Sequence, residues 1–266
     1  MTTVRAWIDR ERELDLLDRH LLLAELLQTN RAGVMTYPER VLNDAELRTL
    51  DLWSSRRRHG EPMAYILGRK DFWGLTLRVN PTVLIPRPET ELLVESALEV
   101  AAAGQRLLDL GTGSGAVAIA LARELANAAV SASDVSQAAL KLAAANAAAH
   151  GARLTFIASH WFENVTPSYD VIVSNPPYVA ERDAHLTSLR AEPTAALVSG
   201  ADGLDAIRYI VPAARRYLNE AGWLIVEHGH DQGSSVRSLM RCSGYHEVTT
   251  RRDLAGLERV TRGRRP

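Results

Sequence analysis

The sequence predicts an α/β protein with a seven-stranded, mostly parallel sheet, preceded by a small helical N-terminal domain and a connecting β-hairpin. Three observations lead to this prediction. Leucines recur at helical spacing near the start of the chain, apolar strand-like runs alternate with helical runs from residue 106 onward, and a glycine-rich turn follows the first of those strands. Alternation at this spacing is typical of a parallel sheet with helices on both faces.

The helical N-terminal domain is predicted to span residues 1–70. Leucines between residues 14 and 27 recur at helical spacing, and Asn43 is placed to cap a helix that runs to Arg58. The basic run that ends at Arg58 is expected to be solvated surface. The leucine-rich faces are expected to form the core between the helices.

Residues 71–87 are predicted to form the β-hairpin. The run 72–79 is expected to pair with the run 83–85 across a turn at Asn80-Pro81. The third part, residues 88–266, begins where Pro88 opens a helix.

Within residues 88–266, strands and helices alternate along the chain. Strands are predicted at 106–110, 130–134, 153–157, 169–174, 222–227, 244–250 and 257–262. Helices are predicted at 114–126, 136–149, 204–218 and 231–242. The last two strands have no clear helix between them, so we expect them to pair antiparallel at the sheet edge.

Composition and charge restrict the class of protein. The chain has 266 residues, of which 46% are hydrophobic, and this is enough for a sizeable core. Its formal net charge of −1 gives no basic field for nucleic acid, and the single Cys242 excludes a disulfide within the chain. No run approaches the roughly 18 apolar residues of a membrane span, and charges interrupt the N-terminus. We expect a cytoplasmic monomer that makes no direct contact with nucleic acid or membrane.

The glycine-rich turn is the first candidate binding site. It follows the strand 106–110 and reads Gly111-Thr112-Gly113-Ser114-Gly115. Glycines let a ligand approach the backbone, and the helix that follows presents free N–H groups. Asp134 ends the next strand, where an acid can accept hydrogen bonds from both ribose hydroxyls.

Two classes of enzyme compete for this pattern. The spacing also satisfies the relaxed dinucleotide fingerprint of nicotinamide and flavin oxidoreductases. The second class is the S-adenosylmethionine methyltransferases. Asp109 favours this second class, because an acid just before the glycines can approach the charged methionine end of that cofactor.

A rigid loop follows the strand 169–174 and reads Asn175-Pro176-Pro177-Tyr178. Proline cannot continue a sheet ladder, so the loop ends the strand at the sheet edge where open α/β sheets bind ligands. It offers one acceptor side chain, backbone carbonyls and an aromatic face, which suit a planar NH2-bearing group. By itself the loop is also consistent with a plain turn.

Upstream residues carry a closer resemblance. The segments are Gly60-Glu61-Pro62-Met63-Ala64-Tyr65-Ile66-Leu67-Gly68, Phe72-Trp73-Gly74 and Val83-Leu84-Ile85-Pro86-Arg87-Pro88-Glu89-Thr90-Glu91. With the two loops, they resemble the peptide chain release factor N5-glutamine methyltransferases (the PrmC/HemK family) over nearly all of the chain. The run 85–91 is the most specific part. The resemblance implies a class I methyltransferase (Rossmann-like) fold and an enzyme that methylates the glutamine in the Gly-Gly-Gln loop of release factors.

The same resemblance implies roles for the cofactor side. The turn from Gly111 to Gly115 would hold the methionine end of S-adenosyl-L-methionine, whose product is S-adenosyl-L-homocysteine. Asp134 would hold the ribose, and Trp161 would lie against the adenine. His160 departs from the family pattern, in which an acid usually precedes the tryptophan.

On the substrate side, the loop 175–178 would hold the glutamine. We hypothesise that the Asn175 oxygen and the Pro176 carbonyl each accept one N–H of the substrate amide, with Pro177 in the same loop and Tyr178 packed on the amide or the methionine chain. N6-adenine methylation of nucleic acid is the alternative function, since adenine N6 is also a planar conjugated NH2. The near-neutral charge argues against it.

Five other polar residues receive simpler interpretations. Arg87, Glu89 and Glu91 lie at a helix start, where acids in the first turn are ordinary capping chemistry. His228 and His230 have metal-like spacing, but without cysteines or a second cluster no metal site is expected.

Overall fold

The computed structural model describes residues 1–166 and 168–266. The chain divides into two compact units, Met1–Arg69 and Lys70–Pro266, and each has its own hydrophobic core. The predicted boundary after residue 70 lies next to this division. In the described part of the chain, no helix is both long enough and apolar enough to cross a membrane.

The first unit is helical. Its helices are α1 (Val4–Arg10), α2 (Leu16–Leu26), α3 (Arg31–Thr36), α4 (Asp44–Arg58) and α5 (Met63–Leu67). Leucines of α2 and α4 pack with Trp7 in the core. The predicted cap of α4 is confirmed. Asn43 Oδ1 accepts from the Glu46 backbone N–H at 3.0 Å, and Glu46 Oε2 accepts from the Asn43 backbone N–H at 2.9 Å.

The basic run at the end of α4 is more than solvated surface. Arg57 Nε lies 2.6 Å from Asp18 Oδ2, and Arg58 Nη1 lies 2.7 Å from Glu11 Oε2. Both acids are largely buried, so these arginines join α4 to the start of the unit. The prediction missed this because the acidic partners lie far away in sequence.

The hairpin is present, but its turn lies earlier than predicted. Strands β1 (Arg69–Phe72) and β2 (Leu75–Arg78) form a two-stranded sheet. Trp73 and Gly74 connect them with φ of 51° and 66°, and two left-handed residues favour a tight hairpin turn. The predicted pairing of 72–79 with 83–85 is therefore wrong.

Seven strands form one sheet within the described residues. They are β3 (Arg106–Leu110), β4 (Ala129–Asp134), β5 (Leu154–Ala158), β6 (Tyr169–Ser174), β7 (Leu218–Glu227), β8 (His246–Arg252) and β9 (Glu258–Arg264). The order is β5-β4-β3-β6-β7-β9-β8. Strands β3 to β7 pair in parallel, and β9 pairs antiparallel with both β7 and β8. The predicted antiparallel edge is confirmed.

The second unit's longer helices cover both faces of this sheet. They are α6 (Glu91–Leu98), α7 (Ala116–Glu124), α8 (Gln137–Ala149), α9 (Asp205–Ala214) and α10 (Gly233–Cys242). Successive strand residues point to opposite faces. Leu107 accordingly packs in the core with α6 and α7, whereas Leu108 packs in the core with α9 and α10.

The strand order places the two predicted loops side by side. The chain moves outward from β3 to β5 and then returns to β6, which pairs with β3 on its other side. Open α/β sheets bind ligands at this reversal, beyond the carboxyl ends of the strands. Gly111 follows β3 and Asn175 follows β6, so both loops begin at the reversal.

Candidate functional site

A cavity of about 470 Å³ lies at the carboxyl ends of the parallel strands, entirely within the second unit. Its walls come from the segment after the hairpin, the glycine loop, the ends of β4 to β6 and the segment before α9. The lining residues are Thr82, Val83, Leu84, Pro86, Thr90, Asp109, Leu110, Gly111, Thr112, Gly113, Ser114, Ala116, Val117, Ser133, Asp134, Val135, Ser136, Ala139, Ser159, His160, Trp161, Asn175, Pro176, Pro177, Pro193, Ala195 and Ala196.

The glycine loop is fixed by a buried acid. Asp109 Oδ2 accepts from the Thr112 hydroxyl at 2.6 Å and from the Ala118 amide at 3.2 Å. Burial raises the pKa of Asp109 to about 6, although both hydrogen bonds act in the opposite direction. Gly115 caps α7 with φ of 85°, which favours glycine, but it does not line the cavity among the described residues.

Asp134 joins the glycine loop to the end of β4. Its Oδ2 accepts from the Gly113 amide at 2.9 Å, and its Oδ1 accepts from the Ser136 amide at 2.8 Å. An ionised carboxylate has about four acceptor positions, so each oxygen keeps capacity for another donor. This arrangement fits a ribose with two adjacent hydroxyls, because the carboxylate is already oriented by the backbone.

Trp161 forms the neighbouring wall in an uncommon conformation. Its φ is 50°, a left-handed value that costs energy in a bulky residue. Ser159 stabilises this turn, because its hydroxyl donates to the Trp161 carbonyl at 2.8 Å and accepts from the Asn164 backbone N–H at 3.0 Å. The ring lies beside Gly111, where an added Cβ would be at the ordinary van der Waals distance of 3.8 Å from ring carbon Cζ3. The turn therefore presents an aromatic surface beside the glycine loop.

His160 lies at the outer edge of this wall. Its side chain is exposed, and its Nδ1 lies 3.3 Å from Glu163 Oε1. The imidazole centroid lies 6.1 Å from the Trp161 ring and 6.5 Å from the Tyr209 ring. His160 also lines the cavity.

The loop after β6 presents the Asn175 amide to the cavity in a fixed orientation. Asn175 Nδ2 donates to the Thr90 hydroxyl oxygen at 3.1 Å. The amide oxygen is therefore the end left for a ligand. Pro176 and Pro177 line the cavity beside it, and proline donates no N–H that would compete for the loop's carbonyls.

Tyr178 is placed differently from the rest of its loop. Among the described residues it is not part of the cavity lining. Its hydroxyl donates to Glu227 Oε1 at 3.4 Å, and its carbonyl accepts from Gln232 Nε2 at 2.9 Å. Tyr178 thus fastens the loop to the end of β7 and to Gln232, the residue before α10.

Glu227 is a buried acid that the sequence analysis did not single out. It ends β7 and is 1% exposed. Burial raises its pKa to about 7, while the hydroxyls of Thr90 and Tyr178 act in the opposite direction. Its Oε2 atom is buried without a hydrogen-bond partner. An isolated acid at a strand end gives little signal in a sequence, because its partners come from other segments.

Glu192 is a second acid that the sequence analysis missed. Its carboxylate accepts from the Ile85 amide at 3.0 Å and forms an ion pair with Arg87. Arg87 therefore has a tertiary partner beyond its place at a helix start. Glu91 also has one, because its Oε1 accepts from the Trp73 amide at 2.8 Å.

The first of the two histidines after β7 is tied into the fold by both of its ring nitrogens. Both ring nitrogens of His228 are engaged, Nδ1 with the Gly229 carbonyl at 2.8 Å and Nε2 with the Thr261 hydroxyl at 2.8 Å. Across residues 1–166 and 168–266, no group of three His, Cys, Asp or Glu side chains is arranged to hold a metal ion.

Comparisons with known proteins agree with this arrangement. The family model for the PrmC N-terminal domain matches residues 9–68, and the model for the methyltransferase small domain matches residues 88–201. A methyltransferase structure from Pyrococcus furiosus is 17% identical and covers 73% of this chain and 91% of its own, with a TM-score of 0.57. This likeness confirms the predicted class I methyltransferase fold.

Two relatives extend the likeness over nearly the whole chain. The release factor glutamine methyltransferase of Coxiella burnetii is 48% identical over 94% of this chain and 91% of its own. The release factor glutamine methyltransferase of Vibrio cholerae is 46% identical over 93% of this chain and 88% of its own. The predicted resemblance is confirmed, and neither an oxidoreductase nor an adenine methyltransferase is favoured. The chain belongs to the release factor glutamine methyltransferase family.

Proposed function

We propose that this protein transfers a methyl group from S-adenosyl-L-methionine to the side-chain N5 atom of the glutamine in the Gly-Gly-Gln loop of peptide chain release factors, and so modulates translation termination. One observation carries the proposal. The Asn175 amide nitrogen is committed to Thr90, which leaves its oxygen as an acceptor in the cavity that also contains the glycine loop and Asp134. An amide donor and a ribose-bearing cofactor can therefore meet in one cavity.

The cofactor side of the cavity suits S-adenosylmethionine. Residues 111–115 would hold the methionine end, and Gly111 allows close approach of the backbone. Asp134 would accept from the ribose hydroxyls with the capacity that its two backbone donors leave. Trp161 would lie against the adenine, with His160 at the edge of the base. The bound cofactor supplies an electrophilic methyl group on a sulfonium.

The substrate side compensates for a poor nucleophile. An amide nitrogen has its lone pair delocalised into the carbonyl, so its orientation matters greatly. The Asn175 oxygen and the Pro176 carbonyl would each accept one N–H of the glutamine, which fixes the plane of the NH2 group. Orientation of this kind can lower a barrier by up to about 7–11 kcal/mol.

Both acceptors are neutral, and this suits the reaction. Transfer to the N5 atom would release the neutral thioether S-adenosyl-L-homocysteine, and the nitrogen would lose one of its two protons to solvent. An anion beside the methyl donor would therefore stabilise the charged ground state more than the transition state. Pro177 would shape the wall of the glutamine subsite. Tyr178 would act by holding the loop through Glu227 rather than by covering the glutamine.

The helical unit is proposed to bind the release factor outside the glutamine. One side chain in a loop gives little binding energy, so selectivity needs a second surface. We also propose that the protein works in the cytoplasm as a monomer and without direct contact to nucleic acid. The net charge of −1 and the single cysteine support this setting.

Methyl transfer to three acceptors tests the proposed function. The protein is incubated with radiolabelled S-adenosylmethionine and either a release factor, its Gly-Gly-Gln loop variant with glutamine replaced by alanine, or DNA. Label in the unmodified release factor alone is expected. Label in DNA, or equal label in both release factor forms, would overturn the proposal.

A further inference from the structure

One buried side-chain amide connects strand β2 to the glycine loop. Asn146 lies on α8 and is 1% exposed. Its Oδ1 accepts from the Arg78 backbone N–H at 2.8 Å, and its Nδ2 donates to the Arg78 carbonyl at 3.0 Å and to the Ser114 carbonyl at 2.9 Å. The two hydrogens of this amide are therefore shared between β2 and the glycine loop.

The partners of Asn146 determine the orientation of its amide. A backbone N–H only donates and a backbone carbonyl only accepts. The Asn146 oxygen must therefore face the Arg78 N–H, and its nitrogen must face the two carbonyls. A flipped amide would bring two donors together at Arg78 and two acceptors together at Ser114. The direction of all three hydrogen bonds thus follows from their backbone partners.

The Ser114 carbonyl belongs to a peptide group that is restrained at both ends. The N–H of the same peptide, on Gly115, donates to the Thr112 carbonyl at 2.9 Å. The flanking Gly113 and Gly115 have φ of 55° and 85°, and glycine gives a backbone little steric restraint of its own. The hydrogen bond from Asn146 therefore adds a restraint that the loop residues cannot supply.

Helix α8 also contacts the glycine loop by packing. A Cβ added to Gly115 would lie 3.1 Å from the Ala143 Cβ, so the helix and the loop are in close contact there. Ala143 and Asn146 are three residues apart and therefore lie on the same face of the helix. One face of α8 thus provides both an apolar and a polar contact to the loop.

We propose that Asn146 is a positioning residue that keeps the glycine loop in the conformation that binds S-adenosyl-L-methionine. Within the described part of the chain, Ser114 lines the cavity and Asn146 does not, so Asn146 acts from behind the loop. This inference rests on the proposed placement of the methionine end at residues 111–115. It does not depend on which group accepts the methyl.

Replacement of Asn146 tests this role. A loop that adopts the binding conformation only about a tenth of the time lowers the apparent affinity about 10-fold. In Asn146→Ala we therefore expect the calorimetric Kd for S-adenosylhomocysteine to rise about 10-fold. The KM for S-adenosylmethionine should rise similarly, while kcat stays within about twofold of the wild type.

Asn146→Asp is a second variant of nearly the same size. Whether ionised or protonated, the aspartate has at most one hydrogen for the two carbonyls, so the bridge between β2 and the loop is weakened in either state. The Kd for S-adenosylhomocysteine should rise in this variant as well. An unchanged Kd in the folded variants would overturn the proposal.

His150 provides a matched control at the end of the same helix. Its Nε2 lies 2.9 Å from the Thr76 carbonyl, so this side chain joins α8 to β2 rather than to the glycine loop. His150→Ala should leave the Kd for S-adenosylhomocysteine unchanged. An equal rise in His150→Ala and Asn146→Ala would show that the effect comes from β2, and would contradict a direct restraint on the loop.

Thr261→Val controls for general loss of stability. Thr261 is fully buried, and its hydroxyl contacts His228 at 2.8 Å and Thr250 at 2.8 Å. This variant should have a lower melting temperature but the Kd of the wild type. If its Kd rose as much as that of Asn146→Ala, the positioning role would be wrong.

Hydrogen exchange of the Gly113 amide tests the inference without ligand or catalysis. Thr112-Gly113 is the only Thr-Gly pair in the sequence, so ¹³C′-threonine and ¹⁵N-glycine labelling identifies its signal. The Gly113 N–H donates to Asp134 Oδ2 at 2.9 Å and should exchange slowly in the wild type. We expect faster exchange in Asn146→Ala but not in His150→Ala or Thr261→Val.

Unchanged exchange of Gly113 in Asn146→Ala would overturn the inference. The proposed function fails separately, if the wild type binds S-adenosylhomocysteine but methylates no release factor. The exchange and Kd measurements still decide the role of Asn146 in that case.

Discussion

The Glu192 carboxylate accepts a hydrogen bond from the Ile85 backbone amide at 3.0 Å. The same carboxylate pairs with Arg87. The residues next to this pair in sequence line the cavity: Leu84 precedes Ile85, and Pro193 follows Glu192. One buried acid therefore connects two loops that form the wall near Asn175.

Removal of this acid should loosen the cavity wall. Glu192→Ala leaves the Ile85 amide without its partner, which should lower the free energy of unfolding by about 1–3 kcal/mol. We expect a higher KM for the release factor with unchanged S-adenosylhomocysteine affinity, measured by steady-state kinetics and calorimetry. Glu247→Ala, which breaks the exposed ion pair with Arg264, is the control. It should change neither the KM for the release factor nor the affinity for S-adenosylhomocysteine. An unchanged KM in Glu192→Ala would argue against a role in the wall.

Asp134 should control cofactor affinity. Asp134→Asn replaces one carboxylate oxygen with an NH2 group. Either the Gly113 or the Ser136 backbone amide then loses its acceptor, and the ribose hydroxyls lose a charged acceptor. A charged hydrogen bond contributes about 1.5–3 kcal/mol. We therefore expect the Kd for S-adenosylhomocysteine to rise about 10- to 100-fold in calorimetric titrations.

Asp170 offers a matched control for this experiment. It also bridges two segments, because it accepts from the Arg106 amide at 2.8 Å and from the Asn219 side chain at 2.7 Å. Asp170→Asn should lower stability but leave the Kd for S-adenosylhomocysteine unchanged. If both variants weakened binding equally, the effect of Asp134→Asn would reflect general loosening.

Glu227 should make the stability of the protein depend on pH. Burial raises its pKa in the folded protein to about 7, above the ordinary value of 4.5. Its stabilising contribution is therefore complete below about pH 4.5 and is lost as the pH rises through about 7. The loss approaches about 1.4 kcal/mol per pH unit between these values.

Denaturant unfolding of the wild type and Glu227→Gln across this pH range measures the effect. The difference between the two curves isolates Glu227 from other titrating groups. We expect the wild type to lose free energy of unfolding relative to the variant as the pH rises. Parallel curves would show that Glu227 keeps an ordinary pKa.

The helical unit should matter for the protein substrate more than for the cofactor. Deletion of residues 1–69 removes a unit with its own core and leaves the cavity residues, which all belong to the second unit. We expect a large rise in KM for the release factor and nearly unchanged S-adenosylhomocysteine affinity. Equal loss of both would indicate that the unit only supports folding.

Asn175 should be needed for turnover but not for cofactor binding. Asn175→Ala removes the acceptor, and Asn175→Asp adds a negative charge and loses the donor to Thr90. We expect both to abolish methyl transfer while the Kd for S-adenosylhomocysteine stays within about one order of magnitude. Measured turnover near the wild-type level in either variant would exclude the role assigned to this amide.

Local patterns predicted most of the fold. Alternating apolar runs predicted all seven strands of the sheet, and their sequence separation indicated parallel pairing. The helix predicted at 204–218 ends earlier, at Ala214, because β7 already begins at Leu218. The hairpin turn was misplaced because Asn80-Pro81 is a strong turn signal. The true turn depends on a left-handed Trp73, which few sequence patterns indicate.

The candidate site was predicted only in part for a related reason. Residues 111–114, Asp134 and residues 175–177 follow strand ends, so their position in the cavity follows from the fold, whereas Gly115 and Tyr178 were predicted to bind a ligand but do not line the cavity within the described residues. Thr90, Glu192 and Glu227 act through partners that are distant in sequence, and no local pattern indicates such pairs. Short-range signals therefore predicted most of the loop residues that line the cavity, but not the buried acids packed behind them.

Localisation of the methyl group tests the central claim most directly. A release factor is incubated with S-adenosylmethionine and either the wild type or Asn175→Ala, and its Gly-Gly-Gln peptide is analysed by tandem mass spectrometry. We predict one methyl group on the side-chain amide of that glutamine with the wild type and none with Asn175→Ala. A methyl group on another residue, or equal modification by both proteins, would contradict the account.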